Sequence, residues 1–250
     1  MENTVYTLVT GASSGIGRSA AVLLSRERNL IMHGRNKERL EETLGMCFSP
    51  ERHIIWQFDL NNTSELAASL TFLLAAANRS VEAFVHCAGM VTVLPMRSID
   101  YCISQKIMNV NFFSALEIVR VLLKKKDNNE RLTNILFISS IFSRFGARGH
   151  SVYCASKAAL DGMMRALAVE LAPTVRVNSI LPGAIRTQMS AKVFDDPCIL
   201  EKLERDYPMG IGKPDNIADT IDFVLSDKAH WLTGQGIVVD GGRTVNMSLK

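Results

Sequence analysis

The chain has 250 residues, 47% of them hydrophobic, enough for one sizeable core that needs no disulfide or metal to hold it. Its 28 basic and 25 acidic residues leave a net charge of +3, and no Lys/Arg block stands out as a nucleic-acid footprint. The densest basic run, Lys124-Lys125-Lys126, precedes Asp127 and Glu130 and reads as a solvated helix end.

In chain order, short apolar runs alternate with longer amphipathic stretches. Strands are predicted over Val5 to Thr10, Leu30 to His33, His53 to Phe58, Val81 to Cys87, Asn134 to Ser139, Val175 to Ile180 and Gly236 to Val239. Helices are predicted near 15–27, 36–46, 63–78, 99–126, 152–172 and 214–226. Hydrophobicity within the strands is continuous rather than alternating, the mark of parallel strands covered on both faces. The expected fold class is therefore α/β, a doubly wound parallel sheet of about seven strands. No repeat, low-complexity tract or linker breaks the chain, so one domain over residues 1–250 is expected. The five cysteines, Cys47, Cys87, Cys102, Cys154 and Cys198, form no C-x-x-C pair and read as reduced thiols. The N-terminus lacks the basic and apolar stretches of a signal peptide, and no apolar run reaches the length of about 20 residues that a membrane span needs. A cytoplasmic chain with no membrane or nucleic-acid partner is the expectation.

The first strand runs into Thr10-Gly11-Ala12-Ser13-Ser14-Gly15-Ile16-Gly17 and then a helix. A parallel sheet binds nucleotide phosphates at such a place, because glycines admit the pyrophosphate and the helix end offers unpaired N–H groups. Further along, Tyr153 and Lys157 stand four apart on a predicted helix, which puts both on one face. Reducing a carbonyl by hydride leaves an alkoxide that must be protonated, and the reverse reaction needs a base. A free tyrosine has a pKa near 10, about three units too high for both tasks, or roughly 4 kcal/mol. A lysine cation beside it favours the ionised form. At the end of the fifth strand stand Ser139 and Ser140, either of which could hold a substrate oxygen. In the long helical segment Asn109 and Asn111 are both out of place as helix formers.

The form T-G-x-x-x-G-I-G resembles the short-chain dehydrogenase/reductase family. The likeness extends through Asp59-Leu60, Ala88-Gly89, Asn111, Ser140, Tyr153-x-x-x-Lys157, Pro182-Gly183 and Thr233-Gly234 to Asp240-Gly241-Gly242. It implies a Rossmann sheet, a nicotinamide cofactor and a carbonyl or secondary alcohol as small-molecule substrate. By resemblance, Gly11, Ser13, Ser14, Gly15, Ile16 and Gly17 would line the phosphates and nicotinamide ribose, Asp59 and Leu60 the adenine, and Ile185 and Thr187 the carboxamide. Family spacing selects Ser140 over Ser139 as the oxyanion partner, and Asn111 over Asn109 as the residue that holds a water linked to Lys157. At the end of the second strand Gly34 occupies the place where NAD-preferring relatives carry an acid. Arg35 follows with a guanidinium suited to a 2′-phosphate, so the cofactor expected is NADP(H).

Two departures stand out. The family usually reads N-N-A-G after strand four, whereas this chain reads His86-Cys87-Ala88-Gly89. Among members resembling β-ketoacyl-carrier-protein reductases, arginines dock an acidic carrier; Arg131 sits at one such position and the second arginine is missing. The stretch from Thr187 to Pro208 would form a substrate lid, with Met189, Val193, Phe194, Ile199 and Leu203 as an apolar wall. His33, His53, His150 and His230 share no ligand spacing, so no metal is expected. The resemblance also implies a homotetramer pairing the helices 99–126 and 152–172 and burying the segment from Trp231 to Val239. The rival reading is a non-catalytic NADP sensor on the same fold.

Overall fold

The computed structural model describes residues 4–76 and 79–247, with nothing described for the side chains of Lys192 and Val193. The last two residues of the helix predicted over 63–78, and the Val193 side chain of the predicted lid wall, lie outside the described residues.

Seven parallel strands form one sheet in the order β3-β2-β1-β4-β5-β6-β7. They are β1 (Thr4–Thr10), β2 (Leu30–Gly34), β3 (Ile54–Gln57), β4 (Arg79–His86), β5 (Asn134–Ile138), β6 (Arg176–Pro182) and β7 (Gly236–Val239). Successive residues of β1 show why the hydrophobicity is continuous. Leu8 packs into one core cluster and Val9 into the other, and both are fully buried. The first face is covered by α3 (Thr63–Ala75), α5 (Ser114–Leu122) and α7 (Ser151–Glu170), through Leu66, Leu70, Ile118, Val121, Leu160 and Met164. The second is covered by α1 (Gly15–Leu24) and α10 (Pro214–Leu225), through Ala20, Ala21, Leu24, Ile217, Ile221 and Val224. Helix α2 (Lys37–Met46) adds Leu40 to this second cluster.

The predicted helix 99–126 is instead three pieces. Helix α4 (Tyr101–Met108) passes into α5 through a π turn over Asn109–Phe113, and a short α6 (Lys125–Asn128) follows. One residue more per turn widens the backbone around Asn111, a distortion often found at functional sites. Between β6 and α10, within the stretch expected to form a lid, lie two further helices, α8 (Ala191–Phe194) and α9 (Pro197–Asp206). Asp196 caps α9 by accepting from the backbone N–H groups of Cys198 and Ile199.

Sheet order reverses between β1 and β4. The crevice at their C-terminal ends is where an open α/β sheet takes its ligand.

Candidate active site

The glycine-rich turn lies in that crevice. A side chain at Gly11, whose φ is +70°, would meet the backbone N of Ala88 at 2.8 Å, so the ends of β1 and β4 touch there. At Gly17 a Cβ would sit 2.2 Å from the Gly11 carbonyl oxygen, which lets α1 start directly on the turn. Helix α1 has no acidic residue in its first turn and no side-chain cap from Ser14, so its positive end is left for an anion. Ser13, Ser14 and Ile16 are each part-exposed around this end. These residues fit a dinucleotide: the glycines open a cradle that any side chain would fill, and the uncapped helix end faces it.

At the end of β2, a Cβ on Gly34 would meet the Ser13 and Leu40 side chains at 3.2 Å, a tight fit that those side chains would have to ease by a few tenths of an ångström. Arg35 is exposed beside it. Arg18 closes the back of the same corner, donating to the carbonyl oxygens of Ser13 at 2.8 Å and Arg39 at 3.3 Å, and to Glu42 at 3.0 Å. Asp59 is exposed and accepts from the Asn61 N–H at 3.0 Å. Leu60 packs its side chain into the core, which leaves its backbone to face a base.

At the opposite edge, Pro182 ends β6 and Gly183 follows, where a Cβ would strike Tyr207 at 2.8 Å. Ile185 is buried and bridges to Gly212. The Thr187 methyl lies 3.2 Å from where Gly15 would carry a Cβ, which brings this loop over the phosphate turn. Ser190 and Tyr207, which the sequence reading missed, fix the loop. Ser190 Oγ donates to the Ile185 carbonyl at 2.7 Å, and Tyr207 Oη accepts from the Ala184 N–H at 2.8 Å. The expected apolar wall is divided: Phe194 is buried against the Arg186 guanidinium, while Met189 and Ile199 point to solvent.

The four candidate catalytic residues converge beside Gly89. A Cβ at Gly89 would lie 3.5 Å from Lys157 Nζ and 3.6 Å from Asn111 Oδ1. The Ser140 hydroxyl accepts from the Phe142 N–H at 3.1 Å, which orients it, and it stands near enough to the Tyr153 phenol to hold that group's pKa down. Ser139 faces away, its hydroxyl donating to the Lys157 carbonyl at 3.3 Å. Asn111 is fully buried, and both ends of its amide are hydrogen-bonded. It accepts from the Met90 N–H at 2.7 Å and donates to the Met90 carbonyl at 3.0 Å and Ser156 Oγ at 2.9 Å. Asn109 serves elsewhere, donating to Asn61.

Electrostatics depart from the expectation for the tyrosine. Lys157 Nζ stands 5.7 Å from the Tyr153 ring centroid and donates to the Ile138 carbonyl at 2.8 Å. Desolvation pushes the phenol up to about 12, opposed by the nearby Ser140 hydroxyl. The same burial pulls Lys157 down to about 8, with the Cys87 thiol and Asp161 working against it. In the free protein the phenol therefore holds its proton at neutral pH. Among the described residues no group of three or more His, Cys, Asp or Glu side chains could hold a metal ion, and no helix is long and apolar enough to cross a membrane.

Residues 11–244 match the family model described as enoyl-(acyl carrier protein) reductase. The human (3R)-3-hydroxyacyl-CoA dehydrogenase is 30% identical over 253 residues, 96% of this chain and 95% of that protein. The 3-oxoacyl-(acyl-carrier-protein) reductase of Rickettsia felis is 33% identical over 242 residues, 94% of this chain and 95% of the relative. Among solved structures, 4-hydroxyisoleucine dehydrogenase complexed with NADH superposes with a TM-score of 0.89 at 27% identity, covering 98% of this chain and 100% of that one. A short-chain dehydrogenase/reductase from Brucella melitensis gives 0.85 at 27%, with coverage of 99% and 98%. The chain belongs to the short-chain dehydrogenase/reductase family, oxidoreductases that act on CH–OH and C=O groups with a nicotinamide cofactor.

Proposed function

We propose that this chain is an NADP(H)-dependent carbonyl reductase, with a 3-oxoacyl thioester, free or carried on an acyl-carrier protein, as the favoured substrate. The observation that carries the reading is the convergence of Ser140, Tyr153, Lys157 and Asn111 around Gly89 at the sheet's switch point. The nicotinamide, when bound, supplies the hydride. Ser140 and Tyr153 hold the substrate oxygen with their hydroxyls, and the Tyr153 Oη proton neutralises it as it becomes an alkoxide. Lys157 keeps a positive charge next to the phenol that has given up its proton. Asn111 fixes the Met90 backbone and Ser156 around this pair.

Gly34 and Arg35 support NADPH over NADH, since the first brings no acid to the ribose hydroxyls and the second offers a guanidinium to a phosphate. Carrier docking rests on Arg131, which is exposed just before β5, and on the resemblance to carrier-protein reductases. NADPH absorbance followed over a panel of ketones, hydroxysteroids, sugars and acyl thioesters tests the reading. Turnover of a 3-oxoacyl thioester with NADPH is expected, and Arg35→Ala should raise the KM for NADPH by about tenfold or more, the worth of one charge-assisted contact. At least tenfold better kcat/KM with NADH in the unaltered enzyme would overturn the cofactor assignment.

A homotetramer belongs to the same proposal. Val169 on α7 is 82% exposed and Trp231 94% exposed, and Phe113 and Leu116 lie partly open on the helix pair. Light scattering at four times the chain mass of 27.6 kDa is expected, and a stable monomer would contradict it.

A further inference from the structure

One buried side chain of α7 has no part in the chemistry above. The helix buries a single stripe, Ser156, Lys157, Leu160, Asp161, Met164 and Ala168. Among the described residues Lys157, 4% exposed, is the only buried lysine or arginine, and Asp161, 5% exposed, the only buried aspartate or glutamate. Four apart on the helix, the two stand on one face, with about 5–6 Å between Cβ atoms. Asp161 Oδ1 is buried without a hydrogen-bond partner. A carboxylate stripped of water in this way is costly unless an opposite charge lies near, and the buried ammonium is one turn away.

The other groups that face this stripe bring no rival charge. Lys157 Nζ donates to the Ile138 carbonyl at 2.8 Å, a neutral acceptor. From the end of β4, Cys87 is a thiol pushed up to about 12 by burial and His86 a ring lowered to about 3, so both are uncharged through the neutral range. Tyr153 keeps its proton there too. The short turn Ile141–Ser143, packed on α7, carries no charge, and Arg144 after it is exposed and donates to the Gly236 carbonyl at 3.2 Å. On β6, Arg176 donates to the carbonyls of Leu232 and Ser226, and on α4, Lys106 is exposed. The π turn and β5 carry no charged side chain. Burial pulls Lys157 down to about 8, against Cys87 and Asp161. With the thiol uncharged, the Asp161 carboxylate is the anion that opposes the fall.

We propose that Asp161 is a positioning residue of the active site, the buried counter-charge that keeps Lys157 an ammonium beside Tyr153. The proposal rests on the reductase reading above for its kinetic consequence, though not for the pairing of the two charges. A lysine that has lost its proton cannot steady the phenolate left when Tyr153 has donated. Asp161→Asn keeps the shape of the side chain and removes its charge, while Asp161→Glu keeps the charge.

Without the carboxylate the charged lysine is less favourable, so in Asp161→Asn the alkaline limb of carbonyl reduction should move down by about one to two pH units, the worth of one charge at this separation in a protein interior. The rate at pH 8 should then fall about 5- to 50-fold and the rate at pH 6 less than about threefold. Asp161→Glu should recover most of the loss. A loss of equal size at every pH, with the limb unmoved, would reduce Asp161 to a packing residue and overturn the proposal. Should Asp161→Asn fail to fold, thermal unfolding of Lys157→Met decides, since that change leaves a lone buried carboxylate. Adding Asp161→Asn to it should raise the Tm by about 2–4 °C or more. A double variant no more stable than Lys157→Met overturns the proposal whether or not the chain reduces a carbonyl. The expected gain in Tm with no turnover in the unaltered protein would instead count against the reductase reading alone.

Discussion

Replacing Tyr153 by phenylalanine should cut kcat/KM for carbonyl reduction by about 10²- to 10⁴-fold, the usual worth of a positioned acid, while leaving the fold intact. The ring contacts survive the change. Phe142 and His150 meet Tyr153 edge-on, with centroids 6.4 and 6.3 Å away, and neither contact uses the hydroxyl. What disappears is the one proton that the site aims at a substrate oxygen. The phenol is pushed up to about 12 in the free protein, so across the neutral range it stays protonated and ready to donate. Lys157, pulled down to about 8, sets the upper limit: above that pH the ammonium is lost and an ionised Tyr153 has no cation beside it. Reduction should accordingly be flat through neutral pH and fall on the alkaline side near 8, well below the 10.5 of an ordinary lysine. Steady-state rates in both directions check this, and survival of more than a tenth of the reduction rate in Tyr153→Phe would remove Tyr153 as the acid.

Much of this was readable without coordinates, and the boundary has physical causes. All seven strands were legible as apolar runs, the five inner ones buried on both faces and the edge strands β3 and β7 only partly, and their observed ends differ from the predicted ones by no more than two residues. The break at Asn109–Phe113 was not, since a 3.6-residue period does not register one residue added to a turn. Its cause is tertiary: Asn111 is pulled inward to Met90 and Ser156, on segments 21 and 45 residues away. The choice between Ser139 and Ser140 was also beyond pattern. Strand β5 ends at Ile138, and past that point the alternation of faces no longer holds, so only the family spacing could choose. Helix α9 did carry a signal that was overlooked, an Asp196 cap followed by Pro197 at the first helical position. The Thr10–His86 contact joins residues 76 apart, and nothing local announces it.

Mild acid should strongly destabilise this protein, and the histidines are the reason. His33, 2% exposed, hydrogen-bonds the Phe58 carbonyl through Nε2 and stacks edge-on against Trp56, and burial lowers its pKa to about 4. His86 is lowered to about 3, and His53 is lowered by burial as well. In the unfolded chain each returns to about 6.5. Between those values the unfolded state binds protons that the folded state refuses, so stability is full above pH 6.5 and declines as the pH falls below it. Each fully buried histidine contributes about 1.4 kcal/mol per pH unit in that window, so His33 and His86 together remove about 4 kcal/mol by pH 5, against a typical total of 5–15. Carboxylates have barely begun to titrate there, which separates the histidine contribution from ordinary acid denaturation. Urea midpoints at pH 7.5 and pH 5, at fixed protein concentration and without cofactor, measure the difference. Equal midpoints would mean that water or a counter-charge reaches these rings in the folded protein.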